Sequence, residues 1–163
     1  MMATKTLVAG IGNIFNGDDG FGSEVTRRLA GRPVPDGVHI EDYGIRGVHL
    51  AYELLEGYDL VVLVDALSRG EAPGTVFLLE PDVDLDDSPQ LDSHQMDPRA
   101  VLRMVDELGG EIGRLLLVGC EPADVGEGIG LSPHVAAAVD DAARMVEHLM
   151  TQVEQLIAEK EIP

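Results

Sequence analysis

The chain has 163 residues and carries thirty Asp and Glu against eleven Lys and Arg, a formal charge of -19. That charge repels nucleic-acid phosphates and anionic membrane surfaces, and apolar runs such as residues 60–64 are far too short to span a bilayer, so neither nucleic acid nor membrane is an expected partner. A single cysteine, Cys120, excludes an internal disulfide; with no long apolar stretch at the start, the expectation is a soluble protein of the reducing cytoplasm. One domain, residues 1–163, fits this length, and with no Trp its core must be filled by Leu, Val, Ile and Ala.

In chain order, residues 5–11 (KTLVAGI) read as a buried strand that breaks into Gly12 and Asn13. Phe21, Val25, Leu29 and Ala30 recur at helical spacing, so a helix is predicted over 21–32, stopped by Pro33 and Pro35. A second strand follows at 38–43 and a second helix at 47–56. Residues 60–66 (LVVLVDA) are almost wholly β-branched or Leu, as a central strand buried on both faces must be. The strand at 75–80 comes after too short a connection for a parallel crossover and is predicted to be antiparallel. A long acidic loop at 81–96, a helix at 99–108 and a last strand at 114–120 follow. Glycine-rich residues 126–130 lead to Ser132 and Pro133, a helix start, and one final helix is predicted from there to about residue 160, the segment from about 151 being its end and tail. The expected fold is α/β: a three-layer α/β/α domain around a five-stranded, mostly parallel sheet with one antiparallel strand.

Several of these residues could carry chemistry. The loop after the first strand contains GIGN and then Asp18-Asp19. Phe15 stands where the third glycine of a dinucleotide loop belongs, and two aspartates at a helix start oppose a phosphate, so a nucleotide site is not indicated. The simplest role for Asp18 and Asp19 is to cap the helix and complement its dipole. Asp65 ends the central strand, at the carboxyl edge where open α/β sheets place their ligands, and the Asp19 loop opens on the same edge, so the two can meet. His94 ends the acidic loop. A single loop histidine is ordinarily a solvated side chain, but a structureless loop of this length in a compact domain is often functional. Two carboxylates and an imidazole suit a borderline divalent cation such as nickel or zinc. Cys120 reads as a small core residue, His49 and His148 as solvated, and His134 as part of a capping region.

Taken together, GIGN-x4-DDGFG (10–22), DYGIRG (42–47), VDA (64–66), APGTV (72–76), SHQ (93–95) and GCEP-x6-GIGLSP (119–133) resemble the nickel-iron hydrogenase maturation endopeptidases, in order and over nearly the whole chain. The resemblance implies a peptidase that removes a short C-terminal extension from the hydrogenase large-subunit precursor once nickel is inserted. It also implies that Asp19, Asp65 and His94 form the catalytic, metal-recognising set, with nickel carried by the precursor and no organic cofactor. The first position is often Glu in that family, so Asp19 reaches less far. Either the metal activates carbonyl or water, or a carboxylate acts as base, as in an aspartic-type endopeptidase. A nickel-binding assembly factor without catalysis and a hydrolase with a resident zinc are the alternatives. The turn at 44–47 is expected to line a groove for the tail, because glycine lets backbones approach closely.

Overall fold

The structure, a computed structural model, describes residues 4–81 and 97–161. Strands β1 (Thr6–Ile11), β2 (Val38–Gly44), β3 (Leu60–Ala66), β4 (Val76–Leu79) and β5 (Arg114–Cys120) form one sheet in the order β2-β1-β3-β5-β4. All pairings are parallel except that of β4 with β5, which is antiparallel as the short connection requires. β5 lies between β3 and β4, so residues 67–75 pass over its end instead of turning a hairpin. That passage is held by Leu67 N–H to the Cys120 carbonyl (3.0 Å) and Gly74 N–H to the Glu121 carbonyl (2.8 Å). The Glu121 carboxylate, buried at the end of β5, also accepts from the N–H groups of Arg69 and Glu71.

Register places apolar residues in rows on both faces. Val8, Val62 and Leu116 lie side by side on one face, and Leu7, Val61 and Leu115 on the other. Because β1, β3 and β5 are covered on both sides, they can be continuously apolar where a half-exposed strand would alternate. Helices α1 (Phe21–Ala30) and α4 (Pro133–Met150) cover the first face, α2 (Gly47–Leu54) and α3 (Pro98–Glu107) the second. Most helix boundaries fall within one or two residues of the periodicity. α3 begins earlier than expected, since Asp97 accepts from Arg99 N–H (2.8 Å) and Pro98 occupies the first turn. Among the described residues no helix is long and apolar enough to cross a membrane.

The last helix departs from expectation. It is two helices, α4 ending at Met150 and α5 running Val153–Glu161. The amides of Thr151 and Gln152 bond to the carbonyls three residues back, and the Thr151 hydroxyl takes the His148 carbonyl (2.7 Å), which tightens and ends the α-helical ladder. α5 then lays Leu156 and Ile157 against the first-face core. Arg114, at the start of β5, donates to the Leu156 carbonyl (2.7 Å), Glu159 (2.8 Å) and Glu80 (3.1 Å). One guanidinium thereby joins β4, β5 and α5, which no local pattern announces.

Replacing Arg114 by Met should cost about 1–2 kcal/mol in denaturant unfolding and expose α5 to faster amide exchange, with the helices α1 to α4 unaffected.

Candidate active site

The site forms where the carboxyl ends of β1 and β3 lie side by side. β1 leaves the sheet at Gly12, whose φ of +123° is closed to most side chains. A β-carbon there would stand 2.0 Å from the Asp19 carbonyl oxygen and 3.3 Å from Asp65 Oδ1. The bare glycine therefore lets the 3-10 turn Gly17–Gly20 rest directly on the strand end, with Asp19 brought over Asp65. Asp19 is half-buried, and its Oδ2 accepts the Asn13 N–H at 2.8 Å. Burial raises its pKa in spite of that bond.

Asp65 faces the α2/α3 side at the end of β3. Its residue retains some exposure, but Oδ1 is fully buried and accepts no hydrogen bond among the described residues. Burial holds its carboxyl well above the usual carboxylate range, and the charge of Asp19 pushes it further up; the Ala66 N–H offsets this only in part. It lines a largely apolar cavity of about 330 Å³ with Leu63, Leu67, Leu102 and Leu117, to which Asp97 and Arg99 add charge. The structure thus brings together two of the three expected residues. His94 and most of the acidic loop lie outside the described residues, and among those described no three His, Cys, Asp or Glu side chains form a metal cluster on their own.

Asp18 and Asp19 do not cap α1 as expected. The N-cap is Gly20, without a side-chain bond, because both carboxylates are engaged elsewhere. Asp18 is completely buried. Its Oδ1 accepts from Ser132 N–H (2.7 Å), and its Oδ2 from the Ser132 hydroxyl (2.8 Å) and the N–H groups of Ala123 (2.8 Å) and Asp124 (2.9 Å). Burial alone would raise its pKa, but these bonds outweigh it and hold the carboxyl below its usual value. Ser132 is the N-cap of α4 by position, yet its hydroxyl serves Asp18 instead of the helix. Residues 124–130 are also zippered to the first loop, by Gly17 N–H to Gly128 O (2.8 Å) and Gly128 N–H to Phe15 O (2.8 Å).

On the other flank, the turn after β2 and the first loop enclose a cleft of about 240 Å³ lined by Gly12, Asn13, Phe15, Asp42, Gly44 and Arg46. Asp42 accepts from the Ser23 hydroxyl (2.8 Å) and Gly44 N–H (3.0 Å), while Gly12 N–H bonds to the Gly44 carbonyl (3.0 Å). Arg46 donates to the carbonyls of Asp42 and Tyr43, which holds the turn in shape. Exposed Phe15 and Ile45 stand at the cleft, and Ile129, 78% exposed, lies in the glycine-rich loop bonded to Phe15 and Gly17. A larger cavity of about 450 Å³, lined by Glu80, Leu102, Val105 and Ile112, does not include either carboxylate.

Cys120 is fully buried, and its thiol is pushed up to about 11, by burial first and then by the charges of Asp18 and Glu121, so it is a core residue and no nucleophile. His49, His134 and His148 are exposed, His134 lying with its carbonyl against Gly74.

A sequence model of the family described as HycI, hydrogenase maturation protease, matches residues 23–149. The chain belongs to this family. It is 31% identical over 144 residues to the hydrogenase 2 maturation protease of Escherichia coli K12, with 87% of this chain and 88% of that protein covered. It is 34% identical over 153 residues to the hydrogenase expression/formation protein HupD of Bradyrhizobium diazoefficiens, covering 87% of this chain and 78% of that one. The solved structure of the E. coli hydrogenase maturating endopeptidase HybD superposes with a TM-score of 0.79 at 29% identity, over 91% of this chain and 94% of that one. This maturation protease therefore has the sheet expected of it, one antiparallel strand included.

Sequence reasoning did not foresee what Asp18, Asp42 and Glu121 do in this protease. Asp18 was visible only as half of a pair, and nothing local separates it from Asp19. Its partners lie 105 to 114 residues away. The presence of Asp and Glu within the DYGIRG and GCEP motifs was the available signal for the other two.

Two outcomes follow for stability. Asp18→Ala should lose about 3 kcal/mol or more, because it strands buried N–H donors. Since the folded pKa of Asp18 is lowered, its contribution is present above about pH 4 and lost as the pH falls through the folded value, so wild type and variant should converge in acid unfolding. Asp65→Asn should act in the opposite sense. The folded chain holds the Asp65 proton more tightly than the unfolded chain, so ionisation at neutral pH costs stability; the amide should raise the thermal midpoint of the metal-free protein at pH 7 by a few degrees.

Proposed function

We propose that this protease removes the C-terminal extension of a nickel-iron hydrogenase large-subunit precursor after nickel insertion. In this reading Asp19, Asp65 and His94 recognise the nickel that the precursor brings, and the ion is part of the substrate. The observation that carries it is the buried Asp65 Oδ1, which has no hydrogen-bond partner among the described residues and lies beside a second carboxylate. A buried carboxylate oxygen without a partner is costly, and two like charges raise each other's pKa; a divalent cation reverses both effects. Two carboxylates with one histidine are a donor set that accepts nickel and leaves positions for the precursor's own ligands.

Geometry supports the remaining parts of this reading. Asp19 is aimed by the Asn13 N–H, and Asp65 is held by the rigid end of β3. The cleft between residues 12–15 and 42–46 receives the tail in an extended form, with the Gly44 turn giving backbone access. A site carboxylate takes a proton from water as the peptide bond is attacked, and burial, which raises the pKa of Asp19 and Asp65, makes either a stronger base. Bound nickel supplies Lewis acidity toward the scissile carbonyl. Because the site is completed only by a nickel-loaded precursor, cleavage reports that loading has occurred.

The test is to incubate the purified protein with nickel-loaded and nickel-free precursor and follow the precursor's mass. A loss confined to the C-terminus of the loaded form is expected, and an intact loaded precursor would sink the proposal in favour of a non-catalytic nickel-binding factor. Asp19→Ala, Asp65→Ala and His94→Ala should each lower the rate by 10³-fold or more while leaving the circular dichroism spectrum unchanged.

A further inference from the structure

Hydrolysis at this site builds negative charge on the scissile carbonyl oxygen, and a donor from this chain would favour it alongside the Lewis acidity of the precursor's nickel. Asp42 lines the cleft and Asp19 stands beside Asp65, and both carboxylates disfavour that charge; Arg99 shares the largely apolar cavity with Asp65, on the α2/α3 side. Arg46 is the cation lining the cleft, and its Nε and Nη2 donate to the carbonyls of Tyr43 and Asp42.

Asn13 differs from these. Its backbone N–H goes to Asp19 Oδ2 (2.8 Å) and its carbonyl accepts from Asn16 N–H (3.0 Å). Its side-chain Oδ1 accepts from Phe15 N–H (2.9 Å). Three of its four hydrogen-bonding groups are thus committed within one short loop. The fourth, the Nδ2 amide with two N–H donors, makes no hydrogen bond among the described residues. The bond from Phe15 fixes the planar amide by its oxygen, so the nitrogen, on the other arm of the same plane, points away from the Phe15 N–H. Asn13 lines the cleft and follows Gly12, the residue against which Asp65 Oδ1 and the Asp19 backbone both rest.

We infer that Asn13 is a catalytic residue of this protease, its Nδ2 donating to the oxyanion of the tetrahedral intermediate. The inference rests on the peptidase reading above. In the step concerned, the oxygen of water bonds to the carbonyl carbon and its proton passes to a site carboxylate, while the carbonyl π pair moves onto oxygen, where the Asn13 amide receives it. On collapse the C–N bond breaks, the amine nitrogen takes the proton back, and the new carboxylate and amine are released. A neutral donor already held in place needs no reorganisation as the charge appears, and loss of one such donor typically costs 10²- to 10³-fold in rate.

The variant that tests this is Asn13→Ser, whose hydroxyl still accepts from Phe15 N–H in a similar turn but has no amide. In single-turnover cleavage of nickel-loaded precursor, the rate should fall 10²- to 10³-fold while the Kd for the precursor stays within about threefold. Asn13→Asp, which keeps the shape and the acceptor, should show the same loss and covers the case in which the serine variant does not fold. Full-rate cleavage by either folded variant overturns the assignment. So does a rate loss matched by an equal loss of precursor affinity, which would make Asn13 a loop-forming residue only. Wild-type cleavage in the same assay measures the peptidase reading separately, so the failure of one is not mistaken for the failure of the other.

Discussion

The backbone of the Asp19 turn lies against Gly12 so closely that no side chain could stand between them. This contact determines most of what the carboxyl edge of the sheet can do. It closes the first loop down onto the strand end, places one carboxylate above another, and removes the water that would otherwise solvate Asp65. An alanine at position 12 would have to adopt a positive φ and displace a carbonyl oxygen, so the pairing of Asp19 with Asp65 depends on one missing methyl group.

A second constraint holds this arrangement from behind. Asp18 reaches the opposite way from Asp19 and receives four hydrogen bonds from the residues that precede α4. Neighbouring aspartates thus have opposite electrostatic fates. The first is stabilised as an anion by donors that never leave it, and the second is left with one donor beside a like charge. The difference marks the line between a structural carboxylate and one available to a ligand. Asp65 stands at the far end of that scale, its carboxyl raised by burial and by a like charge and its Oδ1 without a donor among the described residues.

The surroundings suit a large partner more than a small ligand. The cleft is open, its exposed apolar residues Phe15 and Ile45 stand on backbone that is hydrogen-bonded, and exposed Ile129 belongs to a loop zippered to the same segment. A folded precursor whose tail enters such a cleft would contact rim and site together. The net charge of -19 adds a long-range field that favours basic segments of a partner over acidic ones.

Much was determined by the sequence alone. Continuous apolar runs at 60–66 and 114–120 required strands covered on both faces, and the short link before β4 required it to run antiparallel. The order of the strands and the motifs between them also placed Asp19 and Asp65 on one edge. These are local or topological properties, and periodicity and connection length are enough to decide them. Only the tertiary structure decided which aspartate of the pair is the anchor, why Ser132 caps nothing, and that the final helix breaks at Thr151 so that α5 can reach Arg114. Each of these depends on a hydrogen-bond partner remote in sequence, and a hydrogen bond is made by whichever group the completed fold brings within about 3 Å, which no local pattern encodes.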